Sequence, residues 1–189
     1  MLGVTRSRKR DGGFAFTASV IAFFARGINN VAMAGDKNSQ VLVLGGGFGG
    51  LTFCQHFRHP SARVTVVDRT NHYLFQPLLY QVATAGLSAP EIAQPIRSIL
   101  ASRPNVTVLF DQVTDLGLAK RQVFLQTKAL QYDYLVLALG SCTSYFGHPE
   151  WEQFAPGLKT LDDALRIRSR VLLALRRPKT RRTPPNIIG

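Results

Sequence analysis

Six residues, Gly45-Gly46-Gly47-Phe48-Gly49-Gly50, follow directly on the apolar run Val41-Leu42-Val43-Leu44, and this junction constrains the fold more than any other part of the chain. A continuous aliphatic and β-branched run is the pattern of a strand buried on both faces, as in a parallel sheet. Residues 51–57 then carry side chains compatible with a helix. Within the cluster, Gly45-x-Gly47-x-x-Gly50 gives each glycine a separate task. The first permits a tight strand-to-helix turn, the second lets a pyrophosphate approach the backbone with no Cβ in the way, and the third allows the helix to pack closely on the strand. Phosphates would meet the N–H groups of the helix start and the positive end of its dipole. A glycine-rich turn alone can be merely a turn, so its surroundings decide.

Those surroundings agree with a dinucleotide fold. Arg63-Val64-Thr65-Val66-Val67 reads as a second strand, and Asp68 ends it, 23 residues after Gly45. A carboxylate at about that distance accepts hydrogen bonds from the ribose hydroxyls of an adenosine, and its charge repels a 2′-phosphate. Further on, residues 106–110 and 112–116 are extended stretches, residues 117–120 form a turn, and residues 122–126 alternate like a strand. Residues 134–140, Tyr-Leu-Val-Leu-Ala-Leu-Gly, then read as a returning buried strand that ends in Gly140. Antiparallel ribbon inserted into strand-helix winding, followed by a returning parallel strand, resembles the FAD domains of glutathione-reductase-like flavoproteins. The expected class is α/β, a Rossmann-like FAD/NAD(P)-binding fold with a parallel sheet plus a β-meander, incomplete in this chain.

Residues 68–87 read Asp-Arg-Thr-Asn-His-Tyr-Leu-Phe-Gln-Pro-Leu-Leu-Tyr-Gln-Val-Ala-Thr-Ala-Gly-Leu, and residues 88–97 read Ser-Ala-Pro-Glu-Ile-Ala-Gln-Pro-Ile-Arg. Ser88 and Glu91 form a capping box with Pro90 in the first turn, which predicts a helix start. Residues 75–79 are apolar but rich in turn chemistry, and a buried loop is expected there. Over residues 41–175, including Ser144-Tyr145-Phe146-Gly147 and a helix over 161–175 that begins after Thr160, the chain resembles the N-terminal part of the type II NADH:quinone oxidoreductases. The resemblance implies FAD as cofactor, NADH as hydride donor, a quinone as acceptor, and non-electrogenic respiratory chemistry. It places Gly45, Gly47, Phe48, Gly49 and Gly50 at the pyrophosphate and Asp68 and Arg69 at the adenosine. Val113 would meet the adenine by its backbone, Gln76 would lie beside the flavin, and Gly140 would form the second turn. Two departures stand out: Thr70 occupies a position where the family often has Asn, and the order His72-Tyr73 is commonly reversed.

No catalytic side chain and no metal site is expected, because the flavin carries the chemistry of such enzymes. His56, His59, His72 and His148 lack ligand spacing, and Asp162 and Asp163 sit where they would favour a helix dipole. Cys54 and Cys142 form neither a CxxC nor a metal spacing and read as apolar thiols. That argues against a sulfide-using sister enzyme, which would depend on reactive cysteines.

Charge is where a nucleic-acid reading would have to start, since the formal net charge is +12. It sits at the ends: residues 41–175 hold twelve basic and nine acidic residues. A DNA-binding face would spread its cations over the folded core instead, so no nucleic-acid partner is expected. Residues 1–39 read as a leader, either disordered or targeting-like, with Arg6, Arg8, Lys9 and Arg10 preceding an apolar run over 14–25 that is shorter than a membrane span. Residues 40–175 are the expected FAD-binding domain. Residues 176–189 form a basic, proline-rich tail where relatives would begin an NADH domain, which leads us to expect a chain truncated or frame-shifted there, inactive alone, with any membrane contact made mainly by the missing C-terminal part. The rival expectations are a non-catalytic dinucleotide-binding module and an inactive gene product. The expected location is cytoplasmic or the cytoplasmic face of the inner membrane.

Overall fold

The computed structural model describes residues 39–176. Apart from Ser39 and Arg176, the expected leader and basic tail lie outside the described residues. These divide into two compact units, one formed by residues 39–74 and 93–144, the other by residues 75–92 and 145–176.

The first unit is built on a four-stranded parallel sheet in the order Val106–Phe110 (β5), Ala62–Asp68 (β2), Ser39–Leu44 (β1) and Tyr134–Leu137 (β9). Strand β1 (Ser39–Leu44) leads through the glycine turn into helix α1 (Phe48–His56), and β2 (Ala62–Asp68) returns beside it. A short antiparallel ribbon of β3 (His72–Leu74) and β4 (Ala93–Pro95) follows, then helix α4 (Ile96–Ile99), with α2 and α3 in the other unit. Strand β5 (Val106–Phe110) pairs in parallel with β2 and forms one sheet edge. The chain then makes a three-stranded antiparallel meander of β6 (Val113–Gly117), β7 (Gln122–Leu125) and β8 (Ala129–Gln131) before β9 (Tyr134–Leu137) closes the far edge beside β1.

The unbroken apolar run of β1 is explained by its two coverings. Val41 and Val43 join Val64, Val66, Leu51, Cys54, Phe57, Ile96 and Leu100 on the helical side of the sheet. Leu42 and Leu44 point the other way and join Val67, Val123, Leu125 and Tyr132 under the meander. Alternate side chains of a strand leave opposite faces, so a strand covered on both must be apolar throughout. Each of the four β1 residues from Val41 to Leu44 is at most 2% exposed, and such burial contributes about 1.5–3 kcal/mol per side chain. Cys54 sits in this core, where burial pushes its thiol up to about 12, so it packs as a small apolar group.

Two sequence expectations change in detail. Residues 106–110, read with the antiparallel ribbon, pair instead with β2 in the parallel sheet, and the meander is completed by β8, which the sequence reading did not identify. Alternation reveals that a segment is extended, not which strand it pairs with. The Leu118–Lys120 turn does fall where expected, and Arg121 leaves it in the left-handed region at φ 48°.

The second unit holds α2 (Leu79–Ala83), α3 (Ala89–Ile92) and α5 (Leu161–Arg176), with α2 packed on α5. The buried loop expected at residues 75–79 is instead a 3-10 turn, Gln76–Leu78, that runs into α2. Pro77 presets that turn, Phe75 is 40% exposed, and Leu79 alone of the five is buried. The helix expected after Ser88 is a single turn. The Glu91 carboxylate accepts hydrogen bonds from the Ser88 N–H at 2.6 Å and Oγ at 2.7 Å, which hold it below the usual carboxylate range. Pro95 then disfavours helical backbone at Gln94, and the chain passes into β4. Among the described residues, no helix is long and apolar enough to cross a membrane.

Helix α5 starts as the sequence predicts and runs one residue past 175. Thr160 Oγ1 accepts the Asp163 N–H at 3.1 Å, and Asp163 accepts the N–H groups of Thr160 at 2.9 Å and Lys159 at 3.1 Å. Partial burial pushes the Asp163 carboxyl up, but the Thr160 and Lys159 hydrogen bonds and Arg166 outweigh it and hold the group below its ordinary value. A depressed carboxyl stabilises the fold above the unfolded aspartate value and loses that contribution as pH falls through its native one. Thr160→Ala is therefore expected to cost about 1 kcal/mol in urea unfolding at neutral pH. Asp163→Asn should remove the acid-labile part of α5 stability, so that circular dichroism at 222 nm falls less steeply on acidification than in the wild type.

Candidate functional site

The carboxyl ends of the parallel strands bring most of the sequence-predicted residues of the first unit together. Gly45 turns at φ +102°, and a Cβ there would overlap the carbonyl oxygen of Ala138 just beyond β9. A Cβ on Gly50 would overlap the Gly45 carbonyl oxygen and press on Val43 Cγ1 at 3.3 Å. These two glycines are thus fixed by contacts within the fold. Gly47 differs: nothing lies within 4 Å of the position its Cβ would take. It caps α1 with extended backbone, no side chain caps the helix, and no acidic residue stands in its first turn. The first-turn N–H groups of a helix have no acceptor within it, and the dipole end there is positive, which favours negative charge nearby.

Phe48 contributes to this start through its backbone position, because its ring packs edge-on against Tyr73 at 5.2 Å. Gly49 is exposed, and a Cβ there would stand 3.7 Å from Ala138 Cβ. Gly140 turns at φ +73° after β9, exposed and with open space where a side chain would be.

Asp68 is tied to the glycine turn. Its Oδ2 accepts the N–H of Gly46 at 2.5 Å, while Oδ1 accepts the Thr70 N–H at 2.7 Å and the Thr70 hydroxyl at 2.8 Å. Thr70, the departure from the usual Asn, thus supplies two donors to the carboxylate. An ionised carboxylate offers about four lone-pair sites, so Oδ2 retains acceptor capacity for a further hydroxyl. Gly46, passed over in the sequence reading, is the link: besides its N–H bond, a Cβ there would meet Ile96 Cδ1 at 2.5 Å. A glycine at the variable position of Gly-x-Gly was the available signal. Arg69 is exposed beside Asp68. Val113 opens β6 at a register shift between residues 113 and 115, the kind of bulge that re-aims backbone groups.

Gln76 belongs to the second unit, where its Oε1 accepts a hydrogen bond from Lys159 Nζ at 2.9 Å. Asp111, also missed, lies at the end of β5 and is 8% exposed. Among the described residues, no group of three His, Cys, Asp or Glu side chains could hold a metal ion.

The glycines make separable predictions. Gly45→Ala and Gly50→Ala force backbone overlap and should cost about 3 kcal/mol or more, or prevent folding. Gly47→Ala should stay within about 1 kcal/mol of wild type in chemical denaturation. Its ADP affinity, read by calorimetry, should nevertheless fall at least about ten-fold, because the new methyl stands on the open side of the turn, where the glycine spacing predicts a diphosphate.

The comparisons with known proteins agree with this geometry. Residues 39–177 match the family described as pyridine nucleotide-disulphide oxidoreductase. The chain is 42% identical over 142 residues to the type II NADH:quinone oxidoreductase Ndh of Mycobacterium tuberculosis, covering 73% of this chain and 31% of that protein. It superimposes on the NDH2 structure from Plasmodium falciparum in complex with NADH with a TM-score of 0.66 at 27% identity, covering 76% of this chain and 31% of that one. The sulfide:quinone oxidoreductase of Aquifex aeolicus shares the fold, with a TM-score of 0.64 at 22% identity over 74% of this chain and 33% of that one. The chain thus spans about a third of the length of these relatives. With the strand-glycine-helix turn, its carboxylate partner and the meander all in the matched span, the chain belongs to the pyridine nucleotide-disulphide oxidoreductase family.

Proposed function

We propose that this chain supplies the FAD-binding front part of a flavoprotein NADH:quinone oxidoreductase of the non-electrogenic type II kind. The observation that carries the reading is the hydrogen bond from the Gly46 N–H to Asp68 Oδ2, which locks the carboxylate suited to a ribose onto the turn suited to a pyrophosphate. The open side of Gly47 and a first turn of α1 with no side-chain cap and no acidic residue of its own fit a diphosphate. On this reading Gly45, Gly47, Gly49 and Gly50 shape the turn and, with the Phe48 N–H, receive the pyrophosphate. Asp68 and Arg69 hold the adenosine, Val113 meets the adenine by its backbone, and Gly140 forms the second glycine turn. Gln76 is assigned to the flavin by the family resemblance.

When bound, FAD supplies the redox chemistry, accepting a hydride from NADH and passing electrons to a quinone. This chain's residues bind and orient the cofactor, and preorganisation is their contribution to rate. NADH delivery and the quinone site fall, on this reading, in the two thirds of the relatives that the match does not cover, and this chain alone binds flavin without turning over. A membrane quinone as acceptor would set such an enzyme in respiration, on the cytoplasmic face of the inner membrane.

The test is a titration of the full chain with FAD, followed by absorbance, with ADP and FMN as competitors. Binding that ADP displaces and FMN does not is expected, and the bound flavin should stay oxidised when NADH is added. Bleaching by NADH would show that this chain also holds a hydride-donor site. Failure to bind either FAD or ADP would sink the proposal.

A further inference from the structure

Two polar side chains are buried among the described residues, those of Ser39 and Asp111. A carboxylate taken from water must be compensated by donors, and the identity of those donors shows what it organises. Asp111 follows β5 directly. Its own N–H donates to the Asp68 carbonyl at 3.0 Å, so it stands at the carboxyl end of the strand next to Asp68, the edge where parallel sheets bind ligands.

Its side chain reaches the other way, into the meander. Oδ1 accepts the Gln112 N–H at 2.7 Å and Oδ2 accepts the Thr127 hydroxyl. Thr127 sits in the turn between β7 and β8, which is closed by a Leu125 N–H to Lys128 carbonyl bond at 2.8 Å. The Gln126 N–H donates to the Gln112 carbonyl at 3.0 Å and completes the bracket. Residues 111–113 are therefore held between two anchors, the backbone of Asp68 and the β7–β8 turn. The Thr127 hydroxyl lowers the Asp111 carboxyl most, burial pushes it up, and the backbone N–H groups of Gln112, Thr127 and Gln126 lower it further, so that it stays below its ordinary value. It is the ionised form that the bracket uses.

We propose that Asp111 is a positioning residue for the adenosine end of the dinucleotide site, acting through Thr127 and the segment that presents Val113. The proposal rests on the dinucleotide reading above. Asp111 does not touch the ligand: it fixes the path by which the chain leaves β5 and enters the bulged start of β6, and so fixes the backbone groups that face an adenine.

The test uses the full chain with Asp111→Ala, Asp111→Asn, Thr127→Val and Thr127→Ser. ADP affinity is read by calorimetry, and the thermal midpoint of each ligand-free variant is read separately. Thr127→Val, which removes one hydrogen bond to the carboxylate, should weaken ADP by about ten-fold, and Asp111→Ala, which removes that bond and the one from the Gln112 N–H, by at least as much. Thr127→Ser, which keeps the hydroxyl, should restore wild-type affinity, and Asp111→Asn should fall between. A merely structural role would lower the midpoint and leave the ADP affinity of the folded fraction unchanged. That pattern, or a Thr127→Val variant within two-fold of wild type, would overturn the proposal. Should Asp111→Ala not fold, the Thr127 pair decides alone. If the wild-type chain binds no ADP at all, the functional reading fails and takes this inference with it.

Discussion

Helix α1 can begin where β1 ends because two Cβ atoms are missing. Gly50 lies against the carbonyl of Gly45, and Gly45 lies against the carbonyl of Ala138, so chain segments far apart in sequence meet backbone to backbone. The Ala138 N–H donates to the Leu44 carbonyl at 2.8 Å, and the Gly45 N–H donates to the Val67 carbonyl at 2.8 Å. The ends of three adjacent strands are thereby brought level around one turn. Ordinary side chains at either glycine would lift α1 from the sheet and separate the turn from the end of β9. The helix start, the Asp68 carboxylate and the Gly140 turn all take their positions from this contact.

A sheet assembled in this way needs cover on both faces, and the two covers differ. Helices α1 and α4 serve one side, with Leu51, Cys54, Ile96 and Leu100 packed on Val41, Val43, Val64 and Val66. The meander serves the other, with Val123, Leu125 and Tyr132 packed on Leu42, Leu44 and Val67. The meander also carries the chain from β5 on one edge to β9 on the other, a crossover that α/β proteins usually make with a helix. Using strands instead puts backbone N–H and carbonyl groups, rather than a helix side, next to the carboxyl ends of the parallel strands. That is how the bulged start of β6 comes to follow β5 so closely.

Much of this was legible because glycine, periodicity and capping leave local signatures. The run Val41-Leu42-Val43-Leu44 read as a two-faced strand, the spacing of Gly45, Gly47 and Gly50 together with the strand before it and the second strand after it read as a turn into a helix, and Thr160 marked the start of α5. What escaped the sequence was set by partners rather than by local pattern. Residues 106–110 look alike whether they join a parallel sheet or a hairpin, and only the pairing with β2 distinguishes the two. The short β8 carries too few residues for alternation to register. Residues 75–79 hold enough apolar side chains to suggest burial, yet they enter a 3-10 turn that Pro77 presets, and Leu79 alone of them is buried. Gly46 and Asp111 each act through a hydrogen bond to a residue far along the chain, which spacing does not encode; for Gly46 the extra glycine inside Gly-x-Gly was a hint, and for Asp111 there was none.

Asp68 and Asp111 therefore perform related tasks at the ends of neighbouring strands. Each carboxylate receives a nearby backbone N–H and a threonine hydroxyl, and each ties its own strand to another element: Asp68 to the glycine turn, Asp111 to the meander. Their backbones are joined by the Asp111 N–H. A carboxylate suits this work because charge-assisted hydrogen bonds are short and roughly twice as strong as neutral ones, and because each oxygen accepts from more than one direction. The cost of desolvating it is offset only while every donor stays in place. An apolar residue at 111 could fill the same volume, but it would not specify where Gln112 and Thr127 point. On the proposed dinucleotide reading, specifying where the main chain points is the part Asp111 plays in the fit.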